Sequence, residues 1–565
     1  MGVEGSVDQR QIDEIKARYG IGGRAAGPGR FPVVLIRPSR YDDEGYVIQW
    51  LRSAAPSHLL AALHGLVDDC VRRRVLGEEV QVDVRAVDED NTRIRTDRLA
   101  RELKDGKGLV ILVGVDRSQF SRAMDIALPL RVAGVQVSMG GDHVSGSIAA
   151  YGGVTPELQE AMNMGVSLFA GEASAERLHP VLRDAWRGEL KPLYNYLEDS
   201  PGVEAASAPV LPPGAIRGTI GKPASFDTVR GSVQVSLSTI VDVQGRESRR
   251  RTVDEVEQTV RQNLKQGVGR FFITDENFGR NPDWEQIFDR LIAMREQEQL
   301  NIEFMLQVDA MCHRLPGFIE QAGRAGARRV LIRLESIHPR SRADAEKRPN
   351  TIAEYRKMLL EWKRAGAIVF AEYPVGLPGE MPEKVMAEVR TIQRELAIDL
   401  LEPRGVAAAE DHRHPHGAET GLETQLCRDA WKEFYTLGHI ETVLRRAAAT
   451  GIPLDEITSP LLWFHFCAVY EKIDPLRSGS VRRKHRLDRR PTMPKEGWLG
   501  FWTRYGWDLA WKRWKRLQLD LRFRSFVKRL QLDRSAKSYR DRALILNADP
   551  EPSASEIQTD FSATG

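Results

Sequence analysis

Short apolar runs alternate with segments of helical periodicity through most of this 565-residue chain, and that alternation limits the folds open to it. Strands that are each followed by a helix predict a parallel sheet with helices on both faces. The first series has five runs: Val33–Ile36, Val80–Val87, Leu109–Val113, Val135–Met139 and Ser167–Ala170. The sequence therefore predicts an α/β fold that begins with an open, doubly wound domain.

A second series of the same kind occupies the middle of the chain. Its apolar runs are Val233–Val241, Phe271–Ile273, Ile302–Gln307, Val330–Leu334, Ile368–Tyr373 and Asp399–Glu402. The helical segments between them include Val253–Lys265, Trp284–Glu298, Pro316–Ala325 and Ile352–Ala365. Six βα repeats with right-handed crossovers predict a partial (β/α)6 barrel, and such barrels carry their sites at the carboxyl ends of the strands.

Changes in composition predict the domain boundaries. The segment 198–224 is rich in proline and glycine, which is typical of a linker. The predicted regions are a flexible N-terminus at 1–29, the doubly wound domain at 30–197, the linker at 198–224, the barrel at 225–424, a helical, basic and aromatic region at 425–550, and a disordered tail at 551–565.

Neither a membrane span nor a signal peptide is indicated. No apolar run reaches the length of a spanning helix, and the first residues lack the pattern of a secretory leader. We therefore expect a cytoplasmic protein, and association with a membrane surface stays open.

The four cysteines, Cys70, Cys312, Cys427 and Cys467, are scattered and form no Cys-x-x-Cys pair. This spacing predicts neither a zinc site nor a disulfide framework. We interpret each of them as a single buried thiol.

Several segments at the predicted strand ends carry a family resemblance. They are Ser225–Gly231, Val243–Arg246, Phe271–Phe278, Arg333–Ile337 and Tyr373–Glu380. In this order they resemble the barrel of radical S-adenosylmethionine (SAM) enzymes. The first domain resembles the Rossmann-like cobalamin-binding domain that precedes the barrel in one large subgroup. The resemblance spans about residues 31–546.

The resemblance implies a SAM-like pocket at the strand ends of the barrel. Asp275, Asn277, Glu335 and Gly376 occupy positions that contact SAM in the family. Carboxylate and amide groups there can accept hydrogen bonds from an ammonium group or ribose hydroxyls. The alternative is that Asp275 and Asn277 cap the following helix and that Glu335 pairs with a nearby arginine.

The chain departs from the family where the cluster should be bound. The family carries Cys-x-x-x-Cys-x-x-Cys after Arg-Gly, whose three thiolates hold a [4Fe–4S] cluster. Here Ser232, Ser236 and Thr239 lie at or near those three positions. An unionised hydroxyl is a poor ligand for iron. We therefore expect no [4Fe–4S] cluster and assign neither metal ligands nor catalytic residues.

The resemblance also implies a cobalamin-like crevice at the strand ends of the first domain. Its candidate residues are Ser118, Gly140, Gly141, Gly171 and Glu172. Many cobalamin domains supply a histidine from the loop after the first strand, whereas the loop Arg37–Gly45 has none. The subgroup often lacks this histidine, so retained and lost cobalamin binding both stay open. His143 lies at a rim position, but a structural role is the favoured interpretation.

The stretch after the sixth predicted strand also departs from the family. The family has Thr-Pro-Leu-Pro-Gly-Ser where this chain has Arg404–Ala409. His412, His414 and His416 follow, and alternating histidines can bind a metal. A solvated loop is the favoured interpretation.

The segment Arg477–Arg542 is basic and aromatic. It has 21 Lys and Arg against 6 Asp and Glu, together with ten aromatic residues. On a helix these residues predict an aromatic stripe beside a cationic face. Packing of the aromatics on the barrel is favoured; contact with a membrane surface is the second interpretation, and nucleic acid is disfavoured.

Three functional hypotheses follow, one of which is that the chain is a decaying duplicate without a selected role. The leading one is a pseudoenzyme without the cluster that serves as a binding, regulatory or assembly partner of another protein, with cobalamin or SAM as candidate retained ligands. The alternative is an enzyme, for example a methyltransferase, that uses cobalamin or SAM without the cluster.

Overall fold

The computed structural model of the chain describes residues 29–104, 108–198, 208–230, 249–334, 351–376, 380–405 and 421–546. These residues divide into two compact units. The first unit lies within Met1–Asp275 and Asp474–Lys512. The second lies within Glu276–Ala408, Ala418–Ile473 and Arg513–Gly565.

The first unit opens with a doubly wound sheet. Its strands are β1 (Gly29–Arg37), β2 (Gln49–Trp50), β3 (Val80–Asp88), β4 (Leu109–Leu112), β5 (Gln136–Gly140), β6 (Ser167–Ala170) and β7 (Leu193–Asn195). Six of them form a parallel sheet in the order β3-β1-β4-β5-β6-β7. The order reverses direction at β1, which is the switch point of a doubly wound sheet. All five predicted strands are present, and β7 is an addition.

Helices cover this sheet. They are α1 (His58–Arg72), α2 (Thr96–Leu103), α3 (Arg117–Val132), α4 (Asp142–Tyr151), α5 (Pro156–Asn163) and α6 (Ala175–Arg187). Asp116 and Gln119 form a capping box that fixes the start of α3 directly after β4. The apolar strand residues are almost fully buried against the helices, as a parallel sheet requires.

The second βα series begins within the first unit. It contains α7 (Pro213–Arg217), β8 (Ala224–Phe226), β9 (Val229–Arg230), β10 (Arg249–Arg250), α8 (Val253–Lys265) and β11 (Arg270–Ile273). Strand β8 pairs in parallel with β11, so Ala224–Phe226 begins the series. The predicted strand Val233–Val241 lies outside the described residues. The helix α7 falls in the predicted linker, and the domain boundaries stay a prediction.

The series continues in the second unit. Its elements are α9 (Trp284–Glu296), β12 (Glu303–Val308), α10 (Phe318–Ala325), β13 (Ala327–Arg333), α11 (Ile352–Arg364), β14 (Ile368–Val375), α12 (Pro382–Glu395) and β15 (Leu400–Gly405). Strands β12 to β15 pair in parallel with their neighbours in chain order. The four predicted helices agree with α8 to α11 within two residues at each end.

Helices dominate the rest of the chain. They are α13 (Gly421–Phe434), α14 (Leu437–Thr450), α15 (Leu454–Phe466) and the long α16 (Trp498–Leu532). One short strand, β16 (Arg482–Arg483), pairs antiparallel with β2 in the first unit. Among the described residues, no helix has the length and apolar character to cross a bilayer.

These elements confirm the predicted fold class. The chain is an α/β protein with a doubly wound, Rossmann-like domain, a TIM-like series of six strands alternating with helices, and a helical C-terminal region.

Gly141 allows two loops of the first sheet to approach each other closely. Its φ is +152°, and a Cβ atom there would lie 2.2 Å from the backbone nitrogen of Val115. The Val115 N–H donates to the Gly140 carbonyl at 3.1 Å, and the His143 N–H donates to the Val115 carbonyl at 3.0 Å. The loop after β4 and the loop after β5 are therefore joined through their backbones.

We predict that Gly141→Ala lowers the free energy of unfolding by about 3 kcal/mol, because it adds backbone strain and a clash with Val115. Urea unfolding followed by circular dichroism measures the change. Gly153→Ala is the matched control, since a Cβ there meets no atom within 4 Å. Its expected change is within about 0.5 kcal/mol. Equal stability of the two variants would contradict the prediction.

Candidate functional site

The five residues predicted for the cobalamin-like crevice lie at one edge of the first sheet. Ser118, Gly140, Gly141, Gly171 and Glu172 lie at or just after the carboxyl ends of the adjacent strands β4, β5 and β6. The polar groups there are engaged by the chain itself. The Ser118 hydroxyl donates to the Asp116 carboxylate at 2.6 Å, and the Glu172 carbonyl accepts from Arg177 at 2.9 Å.

The two crevice glycines that have positive φ are required by the chain's own packing. The space beside Gly141 is filled by the backbone of Val115 at 2.2 Å. Gly171 has φ +104°, and a Cβ there would lie 2.7 Å from the Tyr196 carbonyl oxygen. A ligand cradle would instead leave the space beside such glycines open. These two positions therefore offer no cradle for cobalamin.

His143 is part of the packing of the same edge. Its side chain is buried, its ring centroid lies 4.6 Å from that of Phe120, and its Nε2 lies 3.3 Å from a carboxylate oxygen of Glu157. These contacts agree with the favoured structural interpretation.

The loop after β1 is covered by a segment that the sequence analysis did not connect with it. Asp42 in this loop pairs with Arg482 at 2.7 Å, and Glu44 pairs with Lys484 at 2.8 Å. Arg93 binds Asp488 through two hydrogen bonds of 2.6 and 2.8 Å. Two cations of the basic segment are therefore paired with carboxylates of the loop after β1, and Asp488 of the same segment is paired with Arg93. Because the paired residues are far apart in sequence, no local sequence pattern predicts these contacts.

Asp275 follows β11 and is buried. One carboxylate oxygen accepts hydrogen bonds from the backbone N–H groups of Thr228 and Val229, at 2.6 and 3.2 Å. The other accepts from the Thr228 hydroxyl. Burial raises the pKa of Asp275 to about 6, because desolvation outweighs the hydrogen bonds that favour its ionised form. The carboxylate thus holds the backbone between β8 and β9.

Asn277 lies before the short 3-10 helix Phe278–Arg280 in the second unit. Its amide donates to the Asp309 carboxylate at 2.7 Å, and no side-chain hydrogen bond caps the helix. Asp309 also lies 3.5 Å from Arg280. The interpretation of Asp275 and Asn277 as helix caps is therefore wrong, since both bind other partners.

Gly376 follows β14 with φ +83°, a conformation that favours glycine. Its N–H donates to the Glu380 carboxylate at 2.8 Å. This hydrogen bond stabilises the turn after β14.

A charge cluster around the buried Glu372 of the second unit was missed by the sequence analysis. Glu372 of β14 lies between two arginines: Arg333 of β13 donates to it at 3.3 Å, and Arg404 of β15 donates to its other carboxylate oxygen. The neighbouring Tyr373 donates to Glu388 of α12, so Glu372 faces away from that helix. A lone acidic residue inside the apolar run Ile368–Tyr373 was the available signal.

An aromatic contact covers the same face of β14 lower in the strand. Phe370 shares this face with Glu372 by strand alternation, and its ring centroid lies 5.3 Å from that of Phe464 in α15. Both rings are buried. Aromatic packing therefore covers this face of β14 at Phe370, and the charged residues lie nearer the carboxyl end of the strand.

Cys312 and Cys70 are poorly suited to hold iron. Burial raises the pKa of Cys312 to about 12 and that of Cys70 to about 11, which disfavours the thiolate form that binds metal. The described residues also contain no cluster of three His, Cys, Asp or Glu side chains that could hold a metal ion.

Several predicted positions lie outside the described residues. They are Glu335, the cluster positions Ser232, Ser236 and Thr239, and the histidines His412, His414 and His416. The proposed ligand contacts of Asp275, Asn277 and Gly376 also stay predictions.

We predict that Asp275→Asn keeps the fold and raises the free energy of unfolding at pH 7 by about 1–3 kcal/mol. An amide oxygen can accept both backbone hydrogen bonds, and the amide nitrogen can donate to the Thr228 hydroxyl. The folded pKa, about 6, lies above the ordinary value of 3.8, so wild-type stability is lost as the pH rises through this window. Urea unfolding between pH 4.5 and pH 7 measures the difference.

Asp275→Ala is the control for this prediction. It leaves the N–H groups of Thr228 and Val229 without their acceptor, so we expect a loss of about 1–3 kcal/mol at both pH values. An Asp275→Asn variant that is less stable than wild type at pH 7 would show that the ionised carboxylate stabilises the fold.

Comparison with known proteins finds a family model that matches part of the barrel series. Residues 234–392 match the family model of the radical SAM superfamily. This range includes β11 to β14 and the helices between them. No curated protein matches the chain.

Solved structures give more distant similarities. The radical SAM methyltransferase TsrM from Kitasatospora setae, with cobalamin and a [4Fe–4S] cluster bound, has 15% identity and a TM-score of 0.46 over 67% of this chain and 75% of its own. A second TsrM structure, with tryptophan and a SAM analogue, has 15% identity and a TM-score of 0.44 over 66% and 72%. The cobalamin-dependent radical enzyme OxsB has 14% identity and a TM-score of 0.43 over 73% of this chain and 56% of its own.

At these TM-scores the similarities carry no argument about ligands or activity. The family-model match is the firmer finding, and it covers four of the five strand-end segments that resemble this family. Residues 234–392 are therefore similar to the radical SAM superfamily domain.

Proposed function

We propose that this chain is a radical SAM pseudoenzyme that binds no [4Fe–4S] cluster and acts as a binding, regulatory or assembly partner of another protein. One observation carries the proposal: the matched domain, residues 234–392, contains a single cysteine, Cys312. The family's cluster requires three thiolates. Without the cluster the chain lacks the electron donor that cleaves SAM into a radical.

The environment of Cys312 supports this proposal. The thiol is buried beside Trp362, and its pKa is raised to about 12 by desolvation. A thiol in this state is almost entirely protonated at neutral pH and is a poor ligand for iron. Cys312 therefore gives no replacement for the missing ligands.

The state of the carboxylates at the strand ends also supports the proposal. In the first unit, Asp275 accepts three hydrogen bonds from Thr228 and Val229. In the second unit, Glu372 accepts from Arg333 and Arg404. Both groups already have partners within the chain, so a ligand would have to displace those partners in order to bind them.

Cobalamin is not part of the proposed activity. The spaces beside Gly141 and Gly171 are filled by the backbone of the chain itself. The described loop after β1 has no histidine, and its acidic residues form salt bridges. The residues of this crevice therefore do not fit the group, and we derive no step that uses it.

Anaerobic reconstitution with iron and sulfide tests the proposal. We expect the wild-type chain to retain less than roughly a tenth of the iron of a cluster-bearing control, which holds about four irons per chain. It should give no electron paramagnetic resonance signal of a reduced cluster and no reductive cleavage of SAM. A stoichiometric, reducible cluster in the wild type would refute the proposal.

Restoring the thiolates gives a matched variant. Ser232, Ser236 and Thr239 have the spacing of Cys-x-x-x-Cys-x-x-Cys, so Ser232→Cys, Ser236→Cys and Thr239→Cys together rebuild the motif. We expect this triple variant to take up iron where the wild type does not. The corresponding triple alanine variant should behave as the wild type. A known radical SAM enzyme processed in parallel confirms that reconstitution works.

Calorimetric titration with SAM and with cobalamin separates the pseudoenzyme from the cluster-independent enzyme. Binding of SAM without turnover agrees with a retained ligand of a pseudoenzyme, and no heat with either ligand favours a role through protein contacts alone. Binding of cobalamin would contradict the misfit of the crevice. Release of S-adenosylhomocysteine by the untreated wild type would favour polar methyl transfer and would contradict the proposal.

A further inference from the structure

The long helix α16 has two different faces. Phe501, Leu519, Phe523, Phe526 and Leu530 are buried and lie on one side of the helix. The phenylalanines of the helix are buried, whereas its tryptophans are exposed, and packing of the aromatics on the barrel stays a prediction. Five of them, Trp498, Trp502, Trp507, Trp511 and Trp514, have exposed fractions of 41–76%.

An apolar row runs along the side opposite the buried residues. Trp507, Ala510, Trp514, Leu517 and Leu521 follow one another at steps of three and four, which places them on one helical face. The four large side chains are 76%, 57%, 51% and 60% exposed, in chain order. Exposed apolar residues are usually scattered, so a continuous row of this kind indicates an interaction surface.

Positive charge borders this row on both sides. By helical geometry, the exposed Arg513 and Arg524 lie on one flank, and the exposed Arg522 and Arg529 lie on the other. In all, the helix has nine Lys and Arg against two Asp. The apolar row and the cations therefore form one amphipathic surface.

A groove between α15 and α16 extends the basic flank. Its volume is about 950 Å³, and Arg513, Arg516, Arg524 and Lys528 line it. Two acidic residues, Asp455 and Asp520, also line it, and Arg524 pairs with Asp520 at 2.8 Å. Leu517 belongs both to the groove and to the apolar row. Four cations against two carboxylates favour an anionic occupant.

We propose that α16 docks on the surface of a bilayer that contains anionic lipids. The helix would lie in the plane of the interface, with the indoles of Trp507 and Trp514 at the level of the headgroups. The leucines Leu517 and Leu521 would reach the acyl boundary. The cations of the groove would contact lipid phosphates beside this row.

Charge favours this occupant over a second copy of the chain. Two copies of α16 would bring together flanks that are mainly positive, and like charges oppose pairing. Tryptophan is also a poor core residue for a two-helix seam, where leucine, isoleucine and valine pack best. Leu517 and Leu521 supply aliphatic surface that suits lipid rather than nucleic acid, where aromatic stacking gives most of the apolar contact.

Two of the basic residues before α16 already have carboxylate partners. Arg482 and Lys484 are paired with Asp42 and Glu44 of the first unit. The proposed surface is therefore limited to α16 and its groove, and it does not depend on the absence of the cluster.

Flotation of the full-length chain with vesicles tests the proposal. The vesicles are phosphatidylcholine alone, or phosphatidylcholine with about 30% phosphatidylserine. We expect the wild type to float with the anionic vesicles only. The variant Trp507→Ser/Trp514→Ser should bind them about tenfold or more weakly, because both indoles leave the interface. Quenching of tryptophan fluorescence by brominated lipid should fall in parallel.

Two matched controls make the test specific. Trp498→Ser/Trp502→Ser removes two exposed tryptophans that lie off the row, and its affinity for vesicles should stay close to that of the wild type. Arg513→Glu/Lys528→Glu reverses two charges of the groove, and it should abolish the preference for anionic vesicles. Arg534→Glu/Lys537→Glu reverses two exposed charges outside the helix and should retain most binding.

Each variant is first checked for an unchanged circular dichroism spectrum and melting temperature, which is expected because the substituted side chains are exposed. Absence of flotation with anionic vesicles would overturn the proposal, as would equal losses in row and control variants. Dimerisation, or binding of a single-stranded oligonucleotide, that depends on Trp507 and Trp514 without any vesicle binding would assign the surface to that partner instead.

Discussion

A parallel sheet brings the carboxyl ends of its strands to one edge, so the residues placed there decide what the fold can bind. In this chain those ends are held by contacts within the protein. Gly141 lies against the backbone of Val115 in the doubly wound domain. Asp275 holds the backbone after β8, and Glu372 holds Arg333 and Arg404. At the described strand ends, these residues form contacts within the protein.

Desolvation explains why these contacts persist. A buried carboxylate without partners is costly, and a buried thiol stays protonated. Asp275 receives three hydrogen bonds, and its pKa is still raised to about 6. Glu372 is placed between two guanidinium groups, and Cys312 keeps its proton beside Trp362. If SAM or iron were to bind these groups, the present contacts would have to break first, and this cost supports a role without radical chemistry.

The sequence predicted much of the fold because the signals were local. Apolar runs separated by helical periodicity located the strands β3, β6 and β11 to within one residue at each end. The site was harder to predict. The sequence predicted Asp275 as a site residue. It could not predict the contact of Asp275 with Thr228, because that contact depends on how β8 and β11 pair. Glu372 was not predicted as a site residue, because it lies inside an apolar run. Its two arginine partners lie on neighbouring strands and are far from it in sequence.

The basic C-terminal region shows that net charge alone cannot identify an interaction surface. Two cations at and just after β16, Arg482 and Lys484, pair with Asp42 and Glu44 in the loop after β1. The cations of α16 instead border exposed indoles and a groove. Both groups contribute equally to the count of positive charges in the sequence. The side chains of Arg482 and Lys484 are only 11% and 15% exposed and pair with carboxylates, whereas Arg524 of α16 is 76% exposed although it pairs with Asp520. The cations of α16 are therefore the more accessible to an anionic partner.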